Sequence, residues 1–168
     1  MCGIAAVYNI KSDSSSQERT RSIINNMINT IEHRGPDDSG VFVNDAIGLG
    51  SRRLSILDVT ELGHMPMIDD ETGNCIVHNG EVYNYLELKK TLGLKSIISN
   101  TDTEIILKSY SKLGKSCVNK FNGMYAFAIW DQQNRKLFLA RDRLGIKPLF
   151  YAKYKDKLYF SSEIKSIL

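Results

Sequence analysis

The sequence predicts an α+β fold in which two mostly antiparallel sheets pack face to face with helices on their outer sides. Its patterns give one group of strands, then two helices, then a second group of strands, without strict strand–helix–strand alternation. The strands carry so many apolar residues that both faces of each sheet must be buried against other parts of the chain. At 168 residues the chain fits a single domain with its own core.

An apolar run and an amphipathic helix open the chain. Ile4 to Tyr8 has the composition of a buried strand. Residues 12–16 are predicted to form a polar loop, and Ser15 lies three residues before Glu18, the spacing of a capping box that starts a helix. The apolar residues of this helix recur on one face, namely Ile23, Ile24, Met27, Ile28 and Ile31.

Two further helices are predicted in the middle of the chain. The first covers 83–94 and the second 101–113, where Thr101 and Glu104 again have capping-box spacing. Another helix is expected to start at 162–163. Turn residues separate the strands, which are expected at 41–43, 47–49, 54–57, 75–78, 124–130, 136–140, 149–154 and 158–161.

Composition argues against several classes of protein. The formal net charge is only +3 and the basic residues are scattered, so nothing indicates nucleic-acid binding. The N-terminus lacks a signal-peptide pattern, and no apolar run is long enough to cross a membrane. Cys2, Cys75 and Cys117 lack the spacing of a disulfide framework or a zinc site, and the three histidines lack metal-ligand spacing. We therefore expect no metal ligands and a cytoplasmic protein.

The residue after the initiator is Cys2, which removal of Met1 would make the N-terminal residue. A free α-amine has a pKa near ~8 and a thiol one of about 8.5. A largely neutral amine can therefore accept the thiol proton, as in nucleophiles that use their own N-terminus as base. The position of Cys2 taken alone favours the alternative, a small buried residue that opens a strand.

A thiol that attacks a carbonyl also needs donors for the developing oxyanion. Asn79 and Gly80 follow the strand predicted at 75–78, and a side-chain amide and a glycine N–H there could converge on one oxygen. Asn-Gly is also the commonest signal of a tight turn, and taken alone the dipeptide favours that interpretation.

An arginine and an aspartate could hold the two charged ends of an amino acid. Arg53 follows one predicted strand and could bind a carboxylate through its guanidinium fork, although a solvated surface arginine is the ordinary alternative. Asp102 could bind an ammonium group, although an acidic residue in a first helical turn is expected from the helix dipole alone. Beside a thiol, the pair suggests cleavage of the glutamine amide.

Seven motifs carry a family resemblance. They occur in the order Met1 to Ile4, His33 to Asp37, Arg53 to Asp58, Asn79 to Glu81, Asp102 to Glu104, Phe121 to Ala128 and Arg141 to Leu149. With them, the chain closely resembles over its whole length the N-terminal glutaminase domain of glutamine-dependent asparagine synthetases. These are class II glutamine amidotransferases with an N-terminal-nucleophile hydrolase fold.

The resemblance implies a four-layer αββα sandwich and a set of roles. Cys2 would be the nucleophile and its α-amine the base, with Asn79 and Gly80 as the oxyanion hole. The segments 33–37 and 141–148 would be scaffold and interface loops rather than catalytic groups. The glutamine-binding residues would be Arg53 at the carboxylate, Glu81 and Asp102 at the amino end, and the backbone near Leu54 and Ile56.

The resemblance also implies partners that lie outside this sequence. The family carries a C-terminal synthetase domain that uses ATP and Mg²⁺ to amidate an acceptor, with aspartate as the default and sugar acids or other carboxylates as alternatives. The sequence contains no such domain, so we expect 1–168 to be the single glutaminase portion of something longer, joined to a synthetase domain in cis or as a subunit. A homodimer is possible, and no cofactor is expected within this domain. Met65 stands where the family usually has glutamine, a change not expected to abolish catalysis.

Two other functions remain open at this point. An N-terminal-cysteine acylase would share the fold and Cys2 but would not need both Arg53 and Asp102. A degenerate domain that only binds or regulates would not need the whole set. Retention of Cys2, Arg53, Asn79, Gly80 and Asp102 favours a glutaminase.

Overall fold

The computed structural model describes residues 1–10 and 17–168. The strands it contains are β1 (Gly3–Asn9), β2 (Asp38–Val43), β3 (Ile47–Arg53), β4 (Met67–Ile68), β5 (Cys75–Val82), β6 (Gly123–Asp131), β7 (Lys136–Arg141), β8 (Phe150–Tyr154) and β9 (Lys157–Ser161). The helices are α1 (Gln17–Asn29), α2 (Tyr85–Thr91) and α3 (Asp102–Leu113). The loop predicted at 12–16 and the cap at Ser15 lie outside the described residues.

The strands form two antiparallel sheets. One has five strands in the order β2-β3-β1-β9-β8, and the other has four in the order β4-β5-β6-β7. In the first sheet, β1 pairs on one side with β3 and on the other with β9. In the second, β5 and β6 form the long central pair. The prediction of two antiparallel sheets is confirmed.

Three apolar clusters show that the molecule has four layers. The central cluster lies between the sheets and includes Ile4, Leu49 and Trp130. A second cluster packs α1 against the other face of the five-stranded sheet. The third packs α2 and α3 against the outer face of the four-stranded sheet. The arrangement is therefore αββα, as the resemblance implies.

The continuous apolar run at the start of the chain follows from the position of β1. Successive side chains of a strand point to opposite faces. Ile4 and Ala6 face the other sheet, whereas Ala5 and Val7 face α1. A central strand of this kind needs apolar residues at every position.

The start of α3 fixes one wall of the site described below. The Thr101 hydroxyl accepts the backbone N–H of Glu104 at 3.2 Å, so the predicted N-cap is confirmed. The Glu104 carboxylate instead accepts the N–H groups of Ile98 and Ser99, at 2.9 and 2.6 Å. These bonds tie the preceding loop to the first turn of α3.

Three local predictions are wrong. Residues 54–57 form no strand, because this segment turns away from the sheet to meet the Arg53 side chain. Asn79 and Gly80 do not form a turn, since both lie within β5 and pair with Ala126 and Tyr125. The helix expected at 162–163 is only a short 3-10 turn at Ile164–Ser166. Over residues 1–10 and 17–168, no helix has both the length and the apolar character to cross a membrane.

Candidate active site

One cavity brings together all the residues singled out from the sequence. It has a volume of about 180 Å³ and lies where β1 begins, β3 ends and α3 starts. Its lining includes every predicted site residue, namely Cys2, Arg53, Leu54, Ile56, Asn79, Gly80, Glu81 and Asp102. Residues separated by up to 100 positions therefore converge on a space large enough for a small molecule.

The Cys2 thiol lies against the backbone of Leu54. The Leu54 N–H points at the sulfur at 3.4 Å, and the sulfur lies 3.7 Å from the Leu54 carbonyl oxygen. Burial raises the pKa of the Cys2 thiol, and the Leu54 hydrogen bond and the positive charges of the N-terminus and Arg53 oppose that effect. The Arg34 side chain donates to the Cys2 carbonyl at 3.1 Å and so fixes the residue from behind.

The other two cysteines have no comparable surroundings. Cys75 and Cys117 are fully buried in the apolar clusters, with 0% exposure. Burial raises the pKa of the Cys75 thiol, and raises that of Cys117 to about 12. A thiolate is the reactive form, so Cys2 is the one cysteine of the three placed for chemistry.

The side-chain amide of Asn79 is buried and has no partner. Only 1% of Asn79 is exposed, and within the described part of the chain neither its oxygen nor its nitrogen makes a hydrogen bond. Buried polar atoms are normally satisfied, because leaving one unpaired costs about 1–3 kcal/mol. An unpaired amide that lines a cavity is suited to a ligand that supplies the missing bonds.

Gly80 is required by the backbone at this point of β5. Its φ of +151° lies in the region that residues with a side chain rarely adopt. A Cβ here would also collide with the carbonyl oxygen of Met124 on the neighbouring strand. The glycine therefore lets β6 approach closely while its own backbone borders the cavity.

Arg53 is buried, with 6% exposure, so a solvated surface arginine is the wrong interpretation. Its Nη2 donates to the carbonyls of Leu57 and Asp58 at 2.9 and 2.5 Å, and its Nη1 donates to that of Thr60 at 3.5 Å. These bonds use three of the five donors of a guanidinium. A side chain at Gly63 would collide with the guanidinium.

Asp102 occupies the first turn of α3 and is almost fully buried. One carboxylate oxygen accepts the backbone N–H of Val82 at 2.7 Å, and the other lies 3.9 Å from Nδ1 of His78. Glu81 also lines the cavity, and its pKa is raised by burial and by the Asp102 charge. Two carboxylates therefore border the cavity, an arrangement suited to an ammonium group.

The whole chain matches the family described as the glutamine amidotransferase domain, over residues 1–168. The chain belongs to this family. It is 46% identical over 186 residues to a Methanocaldococcus jannaschii protein assigned to the glutamine-hydrolysing asparagine synthetases, covering 100% of this chain and 35% of that protein. It is 42% identical to glutamine-hydrolysing asparagine synthetase 2 of Bacillus subtilis, covering 99% of this chain and 22% of that protein. The chain thus spans about a third or less of these relatives.

The fold also matches a solved amidotransferase. Glutamine phosphoribosylpyrophosphate amidotransferase from B. subtilis superposes with a TM-score of 0.76 over 99% of this chain and 43% of that one. The sequence identity is 16%, so this likeness concerns the fold. The N-terminal-nucleophile hydrolase fold implied by the sequence is confirmed.

Three charged or titratable residues at or next to this cavity were not assigned to the site by the sequence analysis. His78 lines the cavity and donates to or accepts from the Thr103 hydroxyl at 3.0 Å, and its buried Nε2 has no partner among the described residues. Arg34, assigned to a scaffold segment, holds the Cys2 carbonyl. Lys147, assigned to an interface loop, is 5% exposed and lines the cavity. Arg34 and Lys147 both lie inside quoted motifs, but each motif carries other charged residues, so the sequence gives no signal that separates these two from their neighbours.

Proposed function

We propose that this domain hydrolyses L-glutamine to glutamate and ammonia through a thioester on Cys2. The observation that carries the proposal is the unpaired Asn79 amide, which shares one cavity with the Cys2 thiol. Membership of the amidotransferase family supports glutamine as the source of the amide. The alternative of an N-terminal-cysteine acylase is less well supported, because such an enzyme would not need both buried Arg53 and buried Asp102 to bind its substrate.

Glutamine binding is assigned to charges at the two walls of the cavity. The remaining donors of Arg53 would hold the α-carboxylate, while Asp102 and Glu81 would hold the α-ammonium. The backbone near Leu54 and Ile56 would confine the side chain between them. Such contacts place the amide of the substrate near the thiol and fix its orientation before reaction.

The reaction needs removal of Met1, so that the α-amine of Cys2 can take the thiol proton. The sulfur then attacks the amide carbon, and the carbonyl oxygen becomes an oxyanion held by the Asn79 amide and the Gly80 N–H. The amine returns the proton to the leaving nitrogen, which departs as ammonia and leaves a thioester. Water, deprotonated by the same amine, then cleaves the thioester and releases glutamate and the free thiol.

The ammonia would serve an ATP-dependent amidation outside this chain. The asparagine synthetase relatives are much longer than this domain, which favours a synthetase domain in cis or as a subunit. Aspartate is the default acceptor, with a sugar acid or another carboxylate as the alternative. We place the activity in the cytoplasm, where the free thiols of Cys2, Cys75 and Cys117 would stay reduced.

The test uses the purified chain and its Cys2→Ala variant. Intact mass first establishes that Met1 is absent. The parent should release equal amounts of glutamate and ammonia from glutamine, and a diazoketone analogue of glutamine should add once, at Cys2. The variant should fold normally and do neither. Labelling at Cys75 or Cys117, or faster cleavage of simple acyl amides than of glutamine, would overturn the proposal.

A further inference from the structure

Lys147 is held at the cavity by the turn that follows β7. The buried carboxylate of Asp142 accepts the backbone N–H groups of Leu144, Ile146 and Lys147, at 3.2, 2.9 and 3.0 Å. These three bonds fix the backbone of the turn. The Lys147 side chain is 5% exposed and lies along the wall that Cys2 also lines.

The ammonium of Lys147 has a poor partner. Its Nζ contacts the thioether sulfur of Met1 at 3.1 Å, and thioethers are weak acceptors. Over residues 1–10 and 17–168, no carboxylate oxygen lies within ion-pair distance of this Nζ. A buried ammonium without a good acceptor is costly. Removal of Met1 also removes this sulfur and leaves the Lys147 charge at the cavity that Cys2 lines.

The charge of Lys147 can be compared with the summed charges of bound glutamine and the residues proposed to bind it. Glutamine brings one carboxylate, which Arg53 offsets, and one ammonium, which faces the two carboxylates of Asp102 and Glu81. The bound site would then carry one excess negative charge without Lys147 and none with it. A thiolate or an oxyanion adds further negative charge during the reaction, so the site needs this cation most when it reacts.

We propose that Lys147 is a positioning residue of the glutaminase site, whose ammonium in the mature chain keeps the α-amine of Cys2 neutral and favours the thiolate. The proposal rests on the proposed glutaminase function. A cation close to an amine disfavours its protonated form, and the same cation favours an adjacent thiolate. The first effect increases the fraction of Cys2 whose α-amine is free to accept the thiol proton at neutral pH, and the second stabilises the thiolate that this transfer produces.

Other charges face Cys2 from the surrounding elements. Arg53 at the end of β3 is also positive and opposes the rise in the pKa of the Cys2 thiol, while three of its donors bind loop carbonyls. Arg34 is positive and is paired with Glu163 at 3.0 Å. Asp102 on α3 and Glu81 on β5 are negative and work in the opposite direction. Burial and the Lys147 charge hold the pKa of His78 on β5 below its ordinary value, despite nearby Asp102.

The test measures the reactivity of Cys2 against pH with two readouts. The first is the rate of alkylation by iodoacetamide without substrate, in which buried Cys75 and Cys117 should stay protected. The second is kcat/KM for glutamine. Lys147→Met and Lys147→Gln should each shift both profiles to higher pH by about one unit, with a roughly 10-fold lower rate near neutrality. Lys147→Arg should keep the parent profile.

The matched control is Lys153→Met, an exposed lysine of β8 that pairs with Leu158 at the far end of the sheet. It should leave both profiles unchanged. Unshifted profiles in folded Lys147→Met, with only a lower melting temperature, would overturn the proposal in favour of a packing role. A shifted alkylation profile in a chain that does not cleave glutamine would support Lys147 and overturn the glutaminase function, so the two failures are distinguishable.

Discussion

Two buried polar side chains of this domain, Asp69 and Asn79, differ in whether they have hydrogen-bond partners. At Asp69, one carboxylate oxygen accepts from Lys108 and from the Glu71 N–H, and the other accepts from Thr72 and Ser111. At the cavity, the Asn79 amide makes no bond at either end within the part of the chain described. Both residues are at most 3% exposed, so burial does not separate them.

Hydrogen bonding therefore distinguishes a polar group that stabilises the fold from one whose hydrogen-bonding capacity is left open. A closed set of bonds such as that of Asp69 stabilises the junction between the loop after β4 and α3. Buried polar atoms without partners lower the stability of the ligand-free protein, and a ligand that supplies the missing hydrogen bonds removes this penalty. Substitutions in the two regions should therefore separate stability from activity.

Asn79→Ala should lower kcat for glutamine hydrolysis by roughly 10²- to 10³-fold, the usual cost of losing one oxyanion donor. Its free energy of unfolding should stay unchanged or rise slightly, because the substitution removes two unpaired buried atoms. Kinetics and chemical denaturation on the same preparation measure both. A stable variant with unchanged kcat would contradict the assigned role.

Asp69→Asn is the matched substitution in the closed region, and the opposite result is expected. It should cost about 1–3 kcal/mol of unfolding free energy, because Lys108 loses a buried charged partner. Its kcat and KM should stay near those of the parent. Comparable activity losses in Asp69→Asn and Asn79→Ala would remove the distinction between the two regions.

Asp102→Asn should reduce kcat/KM for glutamine by roughly 10- to 150-fold, since a charge-assisted bond is worth about 1.5–3 kcal/mol. The asparagine oxygen can still accept the Val82 N–H, so the fold should persist. Glutaramate lacks the α-amine, and the variant should therefore distinguish it from glutamine less well than the parent does. An unaltered preference would place the ammonium elsewhere.

The smallest expected effect is the loss, at low pH, of the stability that Asp69 contributes. Burial would raise the pKa of Asp69, but the hydrogen bonds from Lys108, Thr72, Glu71 and Ser111 outweigh it and hold the pKa below its usual 3.8. A lowered folded pKa contributes stability above pH 3.8 that is lost as the pH falls through the folded value. The melting-temperature gap between the parent and Asp69→Asn should therefore narrow by a few degrees below that pH. A gap that widens there would contradict the lowered pKa.

Much of the fold could be predicted from local pattern, and less of the site. The β1 strand and the N-cap at Thr101 depend only on residues that are close together in the sequence, so both could be predicted. The Arg53 side chain is buried because it binds carbonyl groups of the loop that follows it, as far as Thr60. Hydrophobic periodicity does not predict such a contact. Lys147 reaches the cavity only because Asp142 folds its turn. Asn79 and Gly80 looked like a turn because the dipeptide alone does not show that β6 lies beside it.

The central place of β1 has a consequence for how the domain fails on heating. A chain terminus usually frays first, because few contacts restrain it. Here Cys2 is followed directly by β1, a strand flanked by β3 and β9, and the Ile4 N–H is further bonded to the Ser162 hydroxyl at 3.0 Å. Freeing the backbone that follows Cys2 therefore means opening the middle of a sheet. Thermal inactivation should coincide with global unfolding instead of preceding it, and the amide hydrogens of this terminus should exchange as slowly as those of the core.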